Sequence, residues 1–250
     1  MQAARQALAC LDLTSLNDAD TEADIARLCQ RADGPAGRVA ALCVWPRLAA
    51  FARANLASGI AVAAVANFPD GSTDIQRALR DTRDIVDAGA QEVDVVLPYA
   101  ALRAGDEARC TALLTAVRKA CAGLTLKVIL ETGELKEPAL IARASRLALD
   151  CGADFLKTST GKTGTSATPQ AALVMLRAIA ADPDSRAGFK AAGGIRSVAD
   201  AAVYIELVAR HLGPTAVAPA RFRIGASALL SEIEARLSSA DPAASDSAAY

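Results

Sequence analysis

Eight short apolar segments recur along this 250-residue chain, and each is followed by a segment of helical length. The short segments are often β-branched, as buried strands are, and the longer ones have the apolar spacing of amphipathic helices. Strands are predicted at 8–13, 38–44, 60–66, 92–97, 124–130, 155–158, 187–190 and 222–225. Helices are predicted near 20–32, 46–57, 73–88, 106–121, 136–150, 168–181, 197–211 and 227–238. This alternation is typical of an α/β fold with parallel strands.

Eight β/α units in one chain of this length predict a single-domain (β/α)8 TIM barrel over residues 1–238, followed by a flexible C-terminal tail over 239–250. An open doubly wound sheet is the alternative. Such a sheet ordinarily has a glycine-rich nucleotide loop after its first strand, whereas the sequence TSLND follows here at 14–18. In a barrel, we expect the functional side chains at the C-terminal ends of the strands and in the loops that follow them.

Lysine is rare in this chain, which has 6 lysines and 21 arginines. Four of the lysines lie in or just after predicted strands: Lys127, Lys157, Lys162 and Lys190. An amine can lose its proton and attack a carbonyl carbon, whereas a guanidinium cannot. An ordinary lysine, with a pKa of about 10.4, is almost wholly protonated at pH 7, so a nucleophilic lysine needs burial or a second cation beside it. Lys157 could be such a nucleophile with Lys190 as the second cation, or these lysines could only pair with carboxylates.

Asp94 lies between valines in the fourth predicted strand. A carboxylate is costly to bury there unless it has a partner, and Lys157 or Lys190 could be that partner. Asp94 could transfer protons in a reaction, or it could form a structural salt bridge.

Two glycine-containing loops suit an anion. The sequence GGIRS at 193–197 follows the seventh predicted strand and opens a helix, and GAS at 225–227 follows the eighth. Barrels often bind phosphate at these two loops, where glycine allows close approach of the backbone. Arg196 and Lys162 could add positive charge.

The composition excludes several classes of function. The formal net charge is −1, basic residues are not clustered, and only 9 residues are aromatic, so nucleic acid is not an expected partner. The single histidine, His211, argues against a histidine-rich zinc site or a Ser-His-Asp triad, so neither a metal nor a cofactor is predicted. Six dispersed cysteines and the lack of a signal peptide or membrane span predict a cytoplasmic protein.

Six tracts stand in order and at suitable spacing for one known family. They are DLTSL at 12–16, NFP at 67–69, EVDVV at 92–96, ETGEL at 131–135, KTSTGK at 157–162 and GFK at 188–190. On these tracts the chain resembles the deoxyribose-phosphate aldolases over nearly its whole length. The resemblance implies a metal-free, Schiff-base-forming (class I) aldolase on a (β/α)8 barrel. Its expected partners are a small phosphosugar and aldehydes, with no membrane or nucleic acid, and its expected assembly is a homo-oligomer, a dimer.

The resemblance also implies roles for individual residues. The Schiff-base lysine is Lys157, the proton-relay lysine is Lys190, and the acid/base aspartate is Asp94. Phosphate-binding residues are Gly161, Lys162, Gly193, Gly194, Arg196, Gly225 and Ser227. Accessory positions are Thr14, Leu16, Cys43 and Tyr250.

Two residues depart from the family's pattern. Ala191 stands where proline is common after the relay lysine, and Ala228 stands where a second serine is common. We expect the first to loosen the approach to the phosphate loop and the second to remove one hydroxyl that could contact the phosphate.

Two other functions remain open on the sequence. Another Schiff-base barrel enzyme, such as a transaldolase or a keto-acid aldolase, would share the lysine chemistry, but the tracts around Asp94 and Lys190 argue against it. A catalytically inactive phosphosugar-binding barrel would need the phosphate loops but neither Lys157 nor Asp94.

Overall fold

The computed structural model describes residues 1–239, and eight parallel strands in it close into a barrel. Neighbours in the barrel are neighbours in sequence, and the last strand pairs with the first through Leu11 and Ile224. The strands are β1 (Leu11–Thr14), β2 (Ala41–Val44), β3 (Ala61–Ala66), β4 (Glu92–Val96), β5 (Thr125–Ile129), β6 (Phe155–Lys157), β7 (Gly188–Ala192) and β8 (Phe222–Ala226). The predicted (β/α)8 barrel is confirmed, and the closed sheet excludes the doubly wound alternative.

Helices follow each barrel strand and cover the outside of the barrel. Thr21 and Ser197 begin two of them with a capping box, in which the side chain and the third helical residue satisfy exposed amides reciprocally. The helices are Gln2–Ala9, Glu22–Ala32, Pro46–Asn55, Ile75–Asp87, Tyr99–Arg103, Glu107–Ala120, Thr132–Leu135, Pro138–Asp150, Pro169–Ala180, Val198–Leu212 and Leu229–Ser238.

The alternation of side chains along each strand separates two layers of the core. In β4, Val93 and Val95 pack in the apolar layer between strands and helices, whereas Glu92 and Asp94 point into the barrel, where they contact Lys127. Successive residues of a strand point to opposite faces, so one short segment supplies both the packing and the polar interior. The polar side chains of the barrel interior are therefore positioned by the apolar residues between them.

The structure corrects the prediction in two places near the N-terminus. Residues 8–13 were predicted as one strand, but Leu8 belongs to the helix Gln2–Ala9 and β1 begins at Leu11. Ala4, Ala7 and Leu8 are buried at helical spacing, which a short apolar run does not distinguish from a strand. The second strand begins at Ala41 rather than near 38, because Gly37–Arg38 pairs with Asp33–Gly34 in a small hairpin.

In residues 1–239, none of the helices combines the length and the apolar composition that crossing a membrane requires. The predicted tail lies almost wholly outside the described residues, so its boundary and its flexibility stay predictions.

Candidate active site

Lys157 is the last residue of β6, at the mouth of the barrel. Its side chain is 3% exposed, and its Nζ donates a hydrogen bond to Asp94 Oδ2 at 2.8 Å. Lys157 also lines a cavity of about 310 Å³. The structure therefore places one amine between a buried carboxylate and a space large enough for a small substrate.

Asp94 receives hydrogen bonds from three lysines. Its Oδ2 accepts from Lys157 and Lys190, both at 2.8 Å, and its Oδ1 accepts from Lys127 at 2.8 Å. Burial would raise the pKa of Asp94, but the three ammonium groups outweigh burial and hold that pKa well below its usual range. Asp94 is therefore a carboxylate at neutral pH.

Lys190 lies directly opposite Lys157 on the neighbouring strand β7. It is fully buried and donates to Asp12 Oδ2 at 2.5 Å as well as to Asp94. Burial would lower the pKa of Lys190, but the carboxylates of Asp12 and Asp94 outweigh burial and raise that pKa well above its usual range. Lys190 is therefore an ammonium ion at neutral pH, next to Lys157 on the neighbouring strand.

The charged interior extends beyond these three residues. Arg223 donates to Asp12 Oδ1 at 2.7 Å and to Glu92 Oε1 at 2.6 Å, and Lys127 also binds Glu92. Ion pairs join seven side chains into one charge cluster, which consists of Asp12, Glu92, Asp94, Lys127, Lys157, Lys190 and Arg223.

Sequence reasoning missed Asp12, Glu92 and Arg223 as members of this cluster. A usable signal was present, because Asp12 lies between two leucines and Arg223 lies between Phe222 and Ile224. Asp94 was selected because it is a charged residue between apolar residues of a predicted strand, and Asp12 and Arg223 meet the same criterion.

Access to the cavity distinguishes the lysines of the charge cluster. Lys127 and Lys190 are fully buried, whereas Lys157 lines the cavity. The geometry of Lys127, held between Glu92 and Asp94, is that of a structural ion pair. Of the lysines in the cluster, Lys157 is the one that a substrate in the cavity can contact.

The predicted phosphate-binding residues surround the same cavity. Gly193 and Gly194 have φ of 83° and 80°, which glycine adopts without strain. A Cβ at Gly193 would lie 2.5 Å from Ser166 Oγ, so this position has no room for a side chain. The cavity-lining residues include Gly161 and Lys162 after β6, Gly193, Gly194 and Arg196 after β7, Gly225 near the end of β8, and Ser227 after it.

Several backbone amides of these loops are available to an anion. Within residues 1–239, the amides of Gly194, Ile195, Ser227 and Ala228 donate to no protein acceptor. By contrast, the amides of Arg196 and Ser197 both donate to Asp200 Oδ2, at 3.0 Å and 2.9 Å. The Asp200 carboxylate therefore already occupies the amides just before the helix Val198–Leu212. The free amides of Gly194 and Ile195 lie earlier in the same loop, and those of Ser227 and Ala228 precede the helix Leu229–Ser238.

Glu131 does not line the cavity but holds the loop after β6, which does. It has φ of 55°, is fully buried, and accepts hydrogen bonds from the amide and hydroxyl of Thr160 and from the hydroxyl of Thr163. Burial raises the pKa of the Glu131 carboxyl. These contacts fix the loop that carries Lys162, a role that the sequence did not predict.

The accessory residues differ in their access to the cavity. Thr14 and Leu16 line it, whereas Cys43 is buried, with Sγ 3.8 Å from Asp94 Oδ2. Burial raises the pKa of the Cys43 thiol. Tyr250 lies outside the described residues.

The two departures from the family's pattern lie in different surroundings. Ala228 lines the cavity, so a hydroxyl is missing where an anion would be reached. Ala191 belongs to the apolar core between strands and helices.

Comparison with known proteins adds three findings. The profile of the DeoC/LacD family aldolases matches residues 6–232. A deoxyribose-phosphate aldolase from Agrobacterium fabrum (strain C58) is 46% identical over 245 residues, which cover 97% of this chain and 94% of that protein. A crystal structure from Toxoplasma gondii ME49, described as a deoxyribose-phosphate aldolase, superposes with a TM-score of 0.88 at 27% identity and covers 96% of both chains.

Proposed function

This chain belongs to the DeoC/LacD aldolase family, and from that premise we propose that it cleaves 2-deoxy-D-ribose 5-phosphate reversibly to acetaldehyde and D-glyceraldehyde 3-phosphate. The reaction is a lyase reaction in which Lys157 forms a Schiff base. The observation that carries this proposal is the position of Lys157, which belongs to the charge cluster and also lines a cavity shared with the glycine-containing loops after β6 and β7.

The reaction begins when neutral Lys157 attacks the aldehyde carbon C1 of the open-chain sugar. Loss of water gives an iminium ion, which can accept an electron pair from the bond between C2 and C3. Breaking that bond leaves C1 and C2 on Lys157 as the enamine of acetaldehyde, and releases C3 to C5 as glyceraldehyde 3-phosphate. Protonation of the enamine at C2 and hydrolysis then free acetaldehyde and the amine.

Cleavage requires removal of the proton from the C3 hydroxyl. Asp94 is held as a carboxylate and Lys190 as an ammonium ion, and the two are 2.8 Å apart. We assign them as the pair that accepts this proton, directly or through a water molecule, and later returns one to the enamine. Because both groups are buried next to Lys157, the proton needs to move only a short distance.

Borohydride reduction in the presence of acetaldehyde tests the Schiff base directly. We expect peptide mass mapping to find N-ethyllysine at Lys157, since this lysine reaches the cavity. The control omits acetaldehyde and should give no modification. A label at Lys162 or Lys190 would contradict the assignment. No label at all, with phosphosugar binding retained, would favour the inactive barrel, and faster trapping of a keto acid than of acetaldehyde would favour another aldolase.

The phosphate is expected to bind the loops after β6, β7 and β8, with Arg196 as one contact. A charge-assisted hydrogen bond contributes about 1.5–3 kcal/mol, so Arg196→Ala should raise KM for deoxyribose 5-phosphate by roughly ten- to a hundredfold. The catalytic rate constant should change much less, because this contact is present throughout the reaction.

Unphosphorylated deoxyribose provides the comparison for this variant, and it should be affected far less. Arg210→Ala, an exposed change in the last turn of the helix Val198–Leu212, is the matched control and should leave KM unchanged. Equal losses for both sugars would place the phosphate elsewhere.

The ligands, the cellular location and the assembly of this protein are proposed from its family and its sequence. Small phosphosugars and aldehydes are its proposed ligands, in keeping with the family. A cytoplasmic location and assembly as a homodimer stay predictions.

A further inference from the structure

The charge cluster contains four groups that can carry positive charge and only three carboxylates. We propose that Arg223 is a positioning residue whose permanent charge makes Lys157 the group of this cluster that gives up its proton. This inference rests on the proposed Schiff-base function and adds a residue that does not touch the cavity amine.

The contacts within the cluster distinguish Lys157 from the other three cations. Arg223 contacts Asp12 and Glu92, Lys190 contacts Asp12 and Asp94, and Lys127 contacts Glu92 and Asp94. Lys157 has one carboxylate, Asp94, which it shares with two other lysines. It is therefore the cation with the least compensation.

Arg223 differs from the lysines because its guanidinium does not lose a proton in proteins. It occupies Asp12 Oδ1 and both oxygens of Glu92, at 2.7, 2.6 and 3.2 Å. These contacts occupy carboxylate oxygens that would otherwise be available to the lysines. With Arg223 present, loss of one proton from Lys157 brings the cluster to three positive and three negative charges, which is the arrangement that burial favours.

Strand register places the three cations in a row. Lys157 on β6 pairs with Lys190 on β7, and Lys190 pairs with Arg223 on β8. Two strand spacings separate Arg223 from Lys157, which is about 10 Å between backbones. A unit charge at about 10 Å, in a medium of effective dielectric constant about 20, shifts a proton equilibrium by about one pH unit.

Other charged or titratable groups also face Lys157. Glu131, after β5, accepts hydrogen bonds from Thr160 and Thr163 and forms no ion pair with the cluster in residues 1–239, and burial raises the pKa of the Cys43 thiol on β2. Within residues 1–239, the charged or titratable groups of the barrel interior and the cavity lining around Lys157 are Asp12 on β1, Cys43 on β2, Glu92 and Asp94 on β4, Lys127 on β5, Glu131 after β5, Lys162 after β6, Lys190 on β7, Arg196 after β7 and Arg223 on β8. Arg196 and Arg223 are permanent cations, and of these two only Arg223 forms ion pairs within the charge cluster.

The expected effect of removing the guanidinium follows from this charge count. In Arg223→Met the cluster is neutral with Lys157 protonated, so loss of that proton would leave a buried negative charge. We expect the pH at which acetaldehyde is trapped on Lys157 at half-maximal rate to rise by about one unit, so the rate at pH values well below both midpoints should fall about tenfold. Glu92→Gln removes a negative charge instead and should move the same midpoint to lower pH.

The test measures the rate of borohydride trapping by acetaldehyde against pH in the full-length protein and its variants. Arg223→Lys keeps the charge with fewer hydrogen bonds and should restore a midpoint close to that of the unaltered protein. Arg143→Met, at an exposed ion pair with Glu107 on the outside of the barrel, is the matched control and should not move it.

Each outcome of this test decides the inference. The inference is overturned if the unaltered protein is trapped at Lys157 and Arg223→Met has the same midpoint. It is also overturned if Arg223→Met loses trapping rate without a shift of its midpoint. If Arg223→Met does not fold, Glu92→Gln decides by the direction of its shift, since an unchanged or higher midpoint rejects the charge count. Failure of the unaltered protein to label at Lys157 would instead reject the proposed function.

Discussion

Replacing Lys157 with arginine is expected to reduce the turnover of 2-deoxyribose 5-phosphate by roughly 10⁴-fold or more, because the covalent route is then closed. Arginine keeps a positive charge beside Asp94, so the carboxylate still has a partner, but a guanidinium cannot lose its proton and attack the aldehyde. Steady-state turnover and borohydride trapping measure the loss, and both should disappear together.

Lys119→Arg is the matched control for this change. Lys119 is exposed on the helix Glu107–Ala120, outside the barrel, and its replacement should leave turnover unchanged. If Lys157→Arg kept a tenth of the activity, the reacting amine would have to be another lysine.

Replacing Asp94 with asparagine is expected to have the second largest effect, because it removes the carboxylate that three lysines share. Loss of a general acid/base group lowers rates by about 10²–10⁴-fold, so the catalytic rate constant should fall by that factor. Removing one partner of a buried ion pair also costs about 3–5 kcal/mol, so the free energy of unfolding should fall as well. Steady-state kinetics and chemical denaturation measure the two effects separately.

The loss of stability in Asp94→Asn should depend on pH. The pKa of Asp94 is lowered in the folded protein, so its stabilisation is fully present above the ordinary aspartate pKa of about 4 and is lost as the pH falls through the folded value. The difference between the variant and the unaltered protein should therefore shrink below about pH 4. A difference that stays constant on acidification would contradict the assigned charge state.

Asp70→Asn is the control for stability. The carboxyl of Asp70 is 55% exposed and lies 2.8 Å from Arg77, and exposed ion pairs contribute only about 0–1 kcal/mol. This variant should unfold nearly as the unaltered protein does at every pH.

The barrel could be predicted from sequence because its signal is local and repeated. Each strand carries its own apolar pattern, and eight repetitions compensate for errors at individual boundaries. The errors occurred where a short apolar segment fits the period of a helix as well as that of a strand. Leu8 is an example, because it was assigned to a strand but belongs to the helix Gln2–Ala9. The short helices Tyr99–Arg103 and Thr132–Leu135 were also not predicted, since four or five residues are too few to show a helical period.

The candidate site was predictable only in part. Lys157, Asp94 and Lys190 were selected from apolar surroundings and from the family resemblance, and the structure brings them within hydrogen-bonding distance. Glu92 and Arg223, which belong to the same charge cluster, could not be paired from sequence, because 131 residues separate them and only the register of the closed barrel makes them neighbours. The sequence also could not show that the Arg196 amide is already hydrogen-bonded, since this depends on the position of the Asp200 side chain that accepts its hydrogen bond.

Closure of the barrel between β8 and β1 also determines when the charge cluster can form during synthesis of the chain. Asp12 is among the first residues to leave the ribosome, and its partners Lys190 and Arg223 follow only near the end, Arg223 after a further 211 residues. An unfinished chain has neither the Arg223 guanidinium nor Lys190 next to Lys157, so it lacks the contacts on which the proposed role of Lys157 rests. Under that proposal, reactivity toward aldehydes is acquired only when β7 and β8 join the barrel.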